Sequence, residues 1–349
     1  MTSPAPAWSA RDRVLVLAPH PDDETLAAGE LMQAALGAGA TLRIVFATDG
    51  DNNPWPQRWL EKRWRIGAAA RAHWGERRRR EAQAALAVLG VDASAARFLG
   101  WPDQGLTERL MRDDAALAAL TDEIAAFAPT HVVLPRLADR HPDHSALRVM
   151  GELALLRASS RAQLLGYLVH GAERAAPVHA ADVPQRRRRK REAMLAHESQ
   201  IALSRRRLLE LAAQPERFEV VESVGGECPP PAELRLAHRA GALPHDLLLI
   251  AATPGETVRF RVRLPRLRMG ARSIRVADPH GRELSLAVEA DALRVALPAL
   301  APAPVAVYAK VHRVGRRLVV FDREPWHRAG VALPLPLTAV APRAAAGLV

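Results

Sequence analysis

The chain has 349 residues, 49% hydrophobic side chains, a formal net charge of +11 and one cysteine. A single cysteine excludes an intrachain disulfide framework and a cysteine-based zinc site. Because it has neither an apolar signal core nor a run of about 20 apolar residues, the sequence predicts a soluble cytoplasmic protein.

The positive charge indicates an anionic partner, such as a lipid headgroup or an anionic glycan, or else arginine-rich helix faces in solvent. Aromatic residues make up only 4% of the chain, which leaves little surface for stacking on bases and argues against nucleic acid. The sequence does not define the oligomeric state.

The first two-thirds of the chain alternates apolar strand-like runs with helical stretches rich in Ala and Leu. The predicted elements are strand 13–17, helix 24–36, strand 41–47, helix 76–89, strand 96–99, helix 113–127, strand 131–134, a helix from about 145, strand 164–169 and a basic helix 187–211. This alternation predicts an α/β fold, Rossmann-like, with a mostly parallel sheet and helices on both faces. Right-handed crossovers put the strand C-termini at one edge, where such sheets bind ligands.

Two stretches depart from this pattern. A segment at 51–75 is rich in Trp, Pro and Arg, and we interpret its tryptophans either as a sugar-stacking lid or as packing against the sheet edge. After a Gly- and Pro-rich stretch, short strands with period-two alternation are predicted at 257–264, 273–276, 284–288, 293–297, 305–311 and 318–321. We therefore predict an α/β domain over 1–224 and a small, mostly antiparallel, sandwich-like β domain over 225–349. The β domain could contact a longer glycan, mediate oligomerisation or add stability.

Two clusters of His and Asp follow predicted strands. The sequence HPDDE at 20–24 comes directly after the first strand, and HPDH at 141–144 follows the fourth strand after a short loop. Hydrolytic zinc sites take three His or carboxylate ligands and leave a position for water. His20 and Asp23 are spaced to converge on one ion, and His144 can complete the set. Either cluster alone could be a turn or a charged first helical turn, whereas the pair indicates a metal site.

The remaining polar residues of these clusters suit amide hydrolysis. Asp22 is adjacent to a predicted ligand but points differently, so it can take a proton from water. His141 is placed to stabilise an oxyanion. Asp143 could hold the His141 ring in one tautomer.

Together the two motifs resemble the PIG-L/LmbE-like family of zinc-dependent N-deacetylases, over roughly 13–224. That family includes N-acetylglucosaminyl-phosphatidylinositol deacetylases and the deacetylases of mycothiol and bacillithiol synthesis. The resemblance implies the metal ligands and the base named above, and it lets His141 stabilise the oxyanion or protonate the leaving amine. It further implies that Arg78 reaches substrate and that Asp103 holds sugar hydroxyls. Arg78 could instead lie on a solvated face, and Asp103 could be a turn residue.

The predicted function is metal-dependent removal of the N-acetyl group from an N-acetylated amino sugar, in a glycoconjugate or its precursor, with release of acetate. Zn2+ is expected, one per chain, although such ligands also accept Fe2+ or another divalent metal. An amidase acting on a thiol conjugate or an antibiotic would use the same chemistry. A dinucleotide-binding oxidoreductase would need Gly-x-Gly-x-x-Gly after the first strand, where this chain has HPDDE. A basic nucleic-acid or membrane-surface binder is a further alternative, marked by steep salt sensitivity without bound metal.

Overall fold

The computed structural model describes residues 7–171, 178–179, 183–221, 233–237, 245–253, 255–264, 272–278, 281–288, 292–297, 304–313 and 325–329. The first seven strands are β1 Arg13–Ala18, β2 Thr41–Thr48, β3 Ala96–Trp101, β4 His131–Pro135, β5 Gln163–Tyr167, β6 Val178–His179 and β7 Arg217–Val221. The α-helices in these ranges are α1 Asp23–Gly37, α2 Pro54–Glu61, α3 Ala68–Leu89, α4 Leu106–Arg112, α5 Asp114–Phe127, α6 Pro142–Arg157, α7 Pro184–Ala196 and α8 Glu198–Ala212.

These seven strands form one sheet in the order β3-β2-β1-β4-β5-β7-β6. The strands from β3 to β5 are parallel, whereas β7 pairs antiparallel with both β5 and β6. The predicted α/β fold with a mostly parallel sheet is therefore confirmed. Within the sheet β1 is buried from Val14 to Ala18, as expected for a strand that helices cover on both faces.

The side chains of β1 alternate between two hydrophobic cores. Val14 and Val16 belong to a core that they share with α1 and α3. Leu15 and Leu17 point to the opposite face and share a core with α5 and α6. Successive side chains of β1 point to opposite faces of the sheet, and both sets are apolar. The sheet therefore packs against a layer of helices on each face.

The helix α4 was not predicted, and two predicted helices differ clearly from the observed ones. The second long helix begins at Ala68 rather than at residue 76, so the segment 51–75 contains α2 and the start of α3. The predicted basic helix 187–211 is two helices, α7 and α8, separated at His197. The His197 ring is buried, and its Nε2 lies 3.3 Å from Thr25 Oγ1 and 3.4 Å from Glu24 Oε1. This tertiary contact has no signature in the helical period, which explains the error.

In the described part of the C-terminal region all strand pairs are antiparallel. The strands are β8 Glu233–Ala237, β9 His245–Ala252, β10 Thr257–Leu264, β11 Arg272–Ala277, β12 Glu283–Val288, β13 Ala292–Ala296, β14 Ala306–Arg313 and β15 His327–Arg328. They form two four-stranded sheets, β10-β9-β14-β15 and β11-β12-β13-β8, which share one hydrophobic core. The antiparallel prediction is confirmed in the described ranges. The predicted strand 318–321 and the predicted domain boundary at 224/225 lie outside them, and the division into two domains stays a prediction.

One C-terminal sheet also packs against the α/β region. Leu248, Ile250 and Tyr308 lie in the same buried cluster as the side chains of α4, α5 and α6. Full burial of a side chain such as Leu or Ile contributes about 1.5–3 kcal/mol. The Tyr308 hydroxyl donates a hydrogen bond to the buried carboxylate of Glu152, which also accepts one from Arg148 Nε at 2.6 Å. The β sheets therefore support α6, the helix that begins with the second sequence motif.

Candidate metal and catalytic site

The two His and Asp motifs meet where the strand order reverses. β1 and β4 are neighbours in the sheet, while their chain continuations lead to different helices, α1 and α6. In open α/β sheets this position outside the strand C-termini is the usual ligand site. The loop after β1 is held to β2, because Thr48 Oγ1 donates to Pro19 O at 2.9 Å.

The three predicted metal ligands converge at this position. His20 Nδ1 lies 3.1 Å from Asp23 Oδ2, and His144 Nε2 lies 3.2 Å from the same oxygen. The centroids of the two imidazole rings are 5.4 Å apart. All three residues are buried, so two strand ends bring two imidazole nitrogens and one carboxylate oxygen together.

The donor set fits a divalent metal. His144 Nδ1 lies 3.1 Å from Asp139 Oδ2, so its Nε2 can present a lone pair to the site. That Nε2 is buried, and in the described ranges none of its contacts has hydrogen-bond geometry, the Asp23 oxygen at 3.2 Å included. His20 Nε2 faces the carboxylates of Asp103 at 3.2 Å and Asp143 at 3.3 Å, which leaves Nδ1 on the side of Asp23. Two imidazole nitrogens with a carboxylate are ligands that zinc and iron(II) both accept.

Electrostatics also favour a cation here. Burial lowers the pKa of His144, but the carboxylates of Asp139 and Asp23 outweigh burial and raise it to about 10. Burial raises the pKa of Asp23, and the charge of His144 outweighs it and lowers the pKa well below its ordinary value. Carboxylates that attract a proton so strongly would also attract a metal ion, which competes with protons for the same atoms.

Asp139 is a site residue that sequence reasoning missed. Its buried carboxylate accepts hydrogen bonds from the backbone N–H groups of His141 at 2.9 Å, Val169 at 3.0 Å and His170 at 3.1 Å. Together with its contact to His144, this joins the loop before α6 to the chain after β5. The only sequence signal is an aspartate two residues before HPDH, and one loop aspartate has no diagnostic pattern.

Other histidines border the ligand set. The atoms of His20, His141 and His144 that could bind a metal lie within 4.8 Å of one another, as do those of Asp23, His144 and His170. Burial, together with the charge of His144, lowers the pKa of His170 to about 4. The described ranges therefore place four histidines, His20, His141, His144 and His170, in two overlapping groups that could hold a metal ion.

Asp22 lies beside the ligands in an uncommon backbone conformation, with φ 134° and ψ −27°. Non-glycine residues with such positive φ values are strained and concentrate at functional sites. The turn is held by Glu24, whose Oε2 accepts a hydrogen bond from the Asp22 N–H at 2.9 Å. Burial raises the pKa of Asp22 to about 6, although the charge of Arg78 lowers it. A carboxylate with a pKa near neutrality suits a general base.

Arg78 lies underneath this turn rather than on a solvated face. It is 4% exposed, and it donates to Gly50 O at 2.9 Å and to Pro21 O at 2.5 Å. One terminal nitrogen also lies 3.3 Å from Asp22 Oδ1. Both terminal nitrogens are bonded to backbone carbonyls, so Arg78 supports the Asp22 turn, and its contact with substrate stays a prediction.

Gly50 is required for this arrangement, which gives a first prediction. It has φ +61°, and a Cβ added there would lie 1.6 Å from Arg78 Nη1. We expect Gly50→Ala to lower the free energy of unfolding by about 2–4 kcal/mol, combining left-handed backbone strain with overpacking. Urea unfolding checks this, with Gly37→Ala as the matched control because its added Cβ meets nothing within 4 Å. Equal stability of the two variants would contradict the prediction.

His141 and Asp143 occupy the first turn of α6. His141 Nδ1 accepts a hydrogen bond from the Asp143 N–H at 3.2 Å, so a neutral ring carries its proton on Nε2. Burial and the neighbouring charges of His20 and His144 lower the pKa of His141 well below its ordinary value. A neutral imidazole with a free N–H can donate to a developing oxyanion.

The carboxylate of Asp143 has other partners than the predicted one. Its Oδ2 accepts a hydrogen bond from the Gln104 N–H at 2.6 Å, and its Oδ1 accepts one from the Leu106 N–H at 3.1 Å. Its ring neighbour is His20, not His141. The backbone N–H of Asp143, not its carboxylate, therefore holds the His141 ring in one tautomer. The Asp143 carboxylate instead fixes the loop before α4 against the first motif.

Asp103 joins the site to the segment 51–75. Its Oδ2 accepts a hydrogen bond from the Asn52 N–H at 3.0 Å, while its Oδ1 faces His20. Burial raises the pKa of Asp103, but the charge of His20 outweighs it and lowers the pKa. Asp103 is therefore a buried carboxylate beside a predicted ligand, not a solvated turn residue. Within 51–75, Trp74 is buried, which matches the packing interpretation for that one tryptophan.

Comparison with known proteins supports the class that the fold and the motifs define. A family model described as PIG-L: GlcNAc-PI de-N-acetylase matches residues 15–155. A 1D-myo-inositol 2-acetamido-2-deoxy-alpha-D-glucopyranoside deacetylase from Mycolicibacterium gilvum (strain PYR-GCK) is 34% identical over 152 residues, which are 38% of this chain and 50% of that protein. Over this segment the chain is similar to the PIG-L family, and it spans about half the length of the curated relatives it matches.

Solved structures that match part of the chain include a deacetylase triple mutant from the teicoplanin biosynthetic pathway. It is 22% identical with a TM-score of 0.48, and the match covers 60% of this chain and 98% of that one. The N,N'-diacetylchitobiose deacetylase from Pyrococcus horikoshii is 18% identical with a TM-score of 0.48, covering 60% of this chain and 84% of that one.

Proposed function

We propose that this chain is a metal-dependent N-deacetylase that hydrolyses the acetamide of an N-acetylated amino sugar, in a glycoconjugate or its precursor, and releases acetate. The observation that carries this proposal is the convergence of His20, Asp23 and His144, with the carboxylate of Asp22 beside them. The substrate class is supported by relatives named as deacetylases of a 2-acetamido-2-deoxy-glucopyranoside.

One Zn2+ per chain would be held by His20, Asp23 and His144, and Fe2+ fits the same ligands. When bound, such an ion lowers the pKa of water toward 7 and polarises the substrate carbonyl. The neighbouring carboxylates of Asp139, Asp103 and Asp143 would keep the two imidazole rings in the tautomers that ligation requires. The ligand set thus needs no rearrangement of the backbone.

We assign the catalytic steps to two residues that lie beside the proposed metal ligands. Asp22 removes a proton from the attacking water as the new C–O bond forms, since a carboxyl with a pKa near 6 is mostly ionised at neutral pH. His141 donates a hydrogen bond to the carbonyl oxygen as it becomes negative. The C–N bond then breaks, and the proton held by Asp22 passes to the departing amine. The products are acetate and a free amino sugar.

The other sequence-based predictions, on substrate contacts and on location, remain proposals. Each carboxylate oxygen of Asp103 already has one partner, Asn52 or His20. A hydrogen bond from a sugar hydroxyl would therefore use a remaining lone pair of one of these oxygens. In the described ranges no helix has both the length and the apolarity needed to cross a membrane. A cytoplasmic location stays a prediction, and the oligomeric state stays open.

Asp139→Asn gives a second prediction. Asn can fill the same space but lacks the charge that orients His144, so metal affinity should fall by about 10–100-fold with the fold retained. Titration with a competing chelator measures that affinity, and thermal unfolding checks the fold. The matched control is Asp122→Asn on the exposed face of α5, which should leave the affinity unchanged. Unaltered affinity in Asp139→Asn would refute the assigned orienting role.

Acetate release from a panel of amides tests the proposed function. The panel contains acetamido sugars, including N-acetylglucosaminyl-inositol and N-acetylchitooligosaccharides, together with acylated thiol conjugates and an acylated glycopeptide antibiotic. We expect acetate and free amine from at least one acetamido sugar. Turnover of another acyl amide alone would favour the amidase alternative, and no turnover of any acetamido sugar would reject the proposed substrate class.

A further inference from the structure

An exposed aromatic surface lies on and just after α2. Trp55, Trp59 and Trp64 are 59%, 57% and 84% exposed, and Leu60 is 37% exposed. We call these three tryptophans, together with Arg58, Lys62, Arg63 and Arg65, the tryptophan patch. Large apolar side chains are rarely clustered on the surface without an interaction partner.

Basic side chains accompany these tryptophans. The Arg58 guanidinium lies 5.2 Å from the centroid of the Trp55 ring, and Lys62 Nζ lies 4.4 Å from the centroid of the Trp59 ring. Arg63 and Arg65 are exposed, and Glu61 is the one acidic residue between Pro54 and Arg65. The patch is therefore both aromatic and positively charged.

The patch is held firmly against the protein. Pro56 and Gln57 of α2 are buried, and Gln57 Nε2 donates to Ala70 O at 2.7 Å. Arg58 Nε donates to Trp64 O at 3.1 Å, which fixes the chain after the helix. The tryptophans are thus presented by an ordered support, so their exposure does not result from a loosely attached segment.

The neighbouring helix extends the same kind of surface. α2 packs against α8, where Leu203 is 50% exposed and the basic block Arg205–Arg207 is exposed as well. Apolar and basic side chains again occur together, with Arg206 of the block bonded to Glu210 at 2.8 Å.

We propose that the tryptophan patch docks on an anionic lipid membrane surface. Tryptophan prefers the boundary between headgroups and acyl chains, and Lys or Arg beside it binds anionic headgroups. A sugar-stacking platform needs uncovered ring faces with polar acceptors around them, whereas here cations lie over the rings of Trp55 and Trp59. The charge and the composition therefore favour lipid over glycan as the occupant.

Docking there would bring the candidate active site close to the membrane surface. Asn52 lies two residues before the start of α2, and its backbone N–H bonds to the site residue Asp103. The proposal concerns a binding surface and does not rest on the proposed catalytic function, so it can be tested without turnover.

The test is cosedimentation of the full chain with large vesicles of phosphatidylcholine, with and without phosphatidylglycerol. We expect binding to the anionic vesicles and little binding to pure phosphatidylcholine. The triple variant Trp55→Ala, Trp59→Ala, Trp64→Ala should lose most of this binding. The double variant Arg58→Gln, Lys62→Gln should bind about 25-fold more weakly, since each basic side chain at an anionic surface contributes about fivefold.

A matched control removes the same charge elsewhere. The double variant Arg188→Gln, Arg189→Gln on the exposed face of α7 should bind anionic vesicles like the unaltered chain. Circular dichroism verifies that each variant is folded. Absence of vesicle binding, equal binding by the tryptophan variant, or equal losses in the two charge variants would overturn the proposal. Binding of the patch to soluble chitooligosaccharide but not to vesicles would replace lipid by glycan.

Discussion

Asp22→Asn is expected to abolish nearly all turnover while the metal content stays at the level of the unaltered chain. Asn has the same size but accepts no proton, and general base catalysis contributes about 10²–10⁴-fold to rates. The proposed metal ligands His20 and Asp23 remain in place on either side of it. We therefore expect kcat to fall by about 10²–10⁴-fold, measured as acetate release, with unchanged metal stoichiometry by elemental analysis.

The control variant must separate the effect of removing a negative charge from the effect of removing the proposed general base. Asp122→Asn removes one exposed carboxylate from α5 and should leave kcat unchanged. Because Asp22 has a strained backbone held by Glu24, thermal unfolding of Asp22→Asn should also be compared with that of the unaltered chain. A kcat near that of the unaltered chain would show that another group is the base.

The two histidines at the start of α6 are expected to separate metal binding from catalysis. His144→Ala removes a buried ligand atom and should lower metal affinity more than the 10–100-fold typical of losing an outer partner of a ligand, about 10³-fold or beyond. His141→Ala leaves the proposed ligands His20, Asp23 and His144 intact. It should keep the metal and lower kcat by about 10²–10³-fold, the usual effect of losing one oxyanion donor.

Metal content and kcat are to be measured on the same preparations of both variants. The potential ligand atoms of His20, His141 and His144 lie within 4.8 Å of one another. If either His141 or His144 could serve as the ligand, the two variants would have similar metal contents. Equal metal loss in both variants would show that the two roles were assigned wrongly.

Patterns within short stretches of sequence predicted the scaffold of the site. Alternating strands and helices predicted the parallel sheet, and polar residues directly after two apolar strands predicted where His20 and His144 would meet. Both inferences use local periodicity together with a general rule of sheet topology. They succeed because neighbouring parallel strands end at the same edge.

Contacts between distant loops could not be predicted in this way. Asp139 acts through the backbone of Val169 and His170, which are far along the chain, and nothing in its local sequence marks it. Arg78 stands among four consecutive arginines, and only the packing of α3 under the loop after β1 decides which of them is buried. The break at His197 likewise depends on a tertiary contact, here with Glu24.

Acetate release from an acetamido sugar, measured on one preparation before chelation, after chelation and after return of Zn2+, tests most directly whether a metal held by His20, Asp23 and His144 supports hydrolysis. Removing the metal should abolish acetate release, and activity should return in proportion to added metal until about one ion is bound per chain. Full activity in the metal-free protein would contradict the central claim.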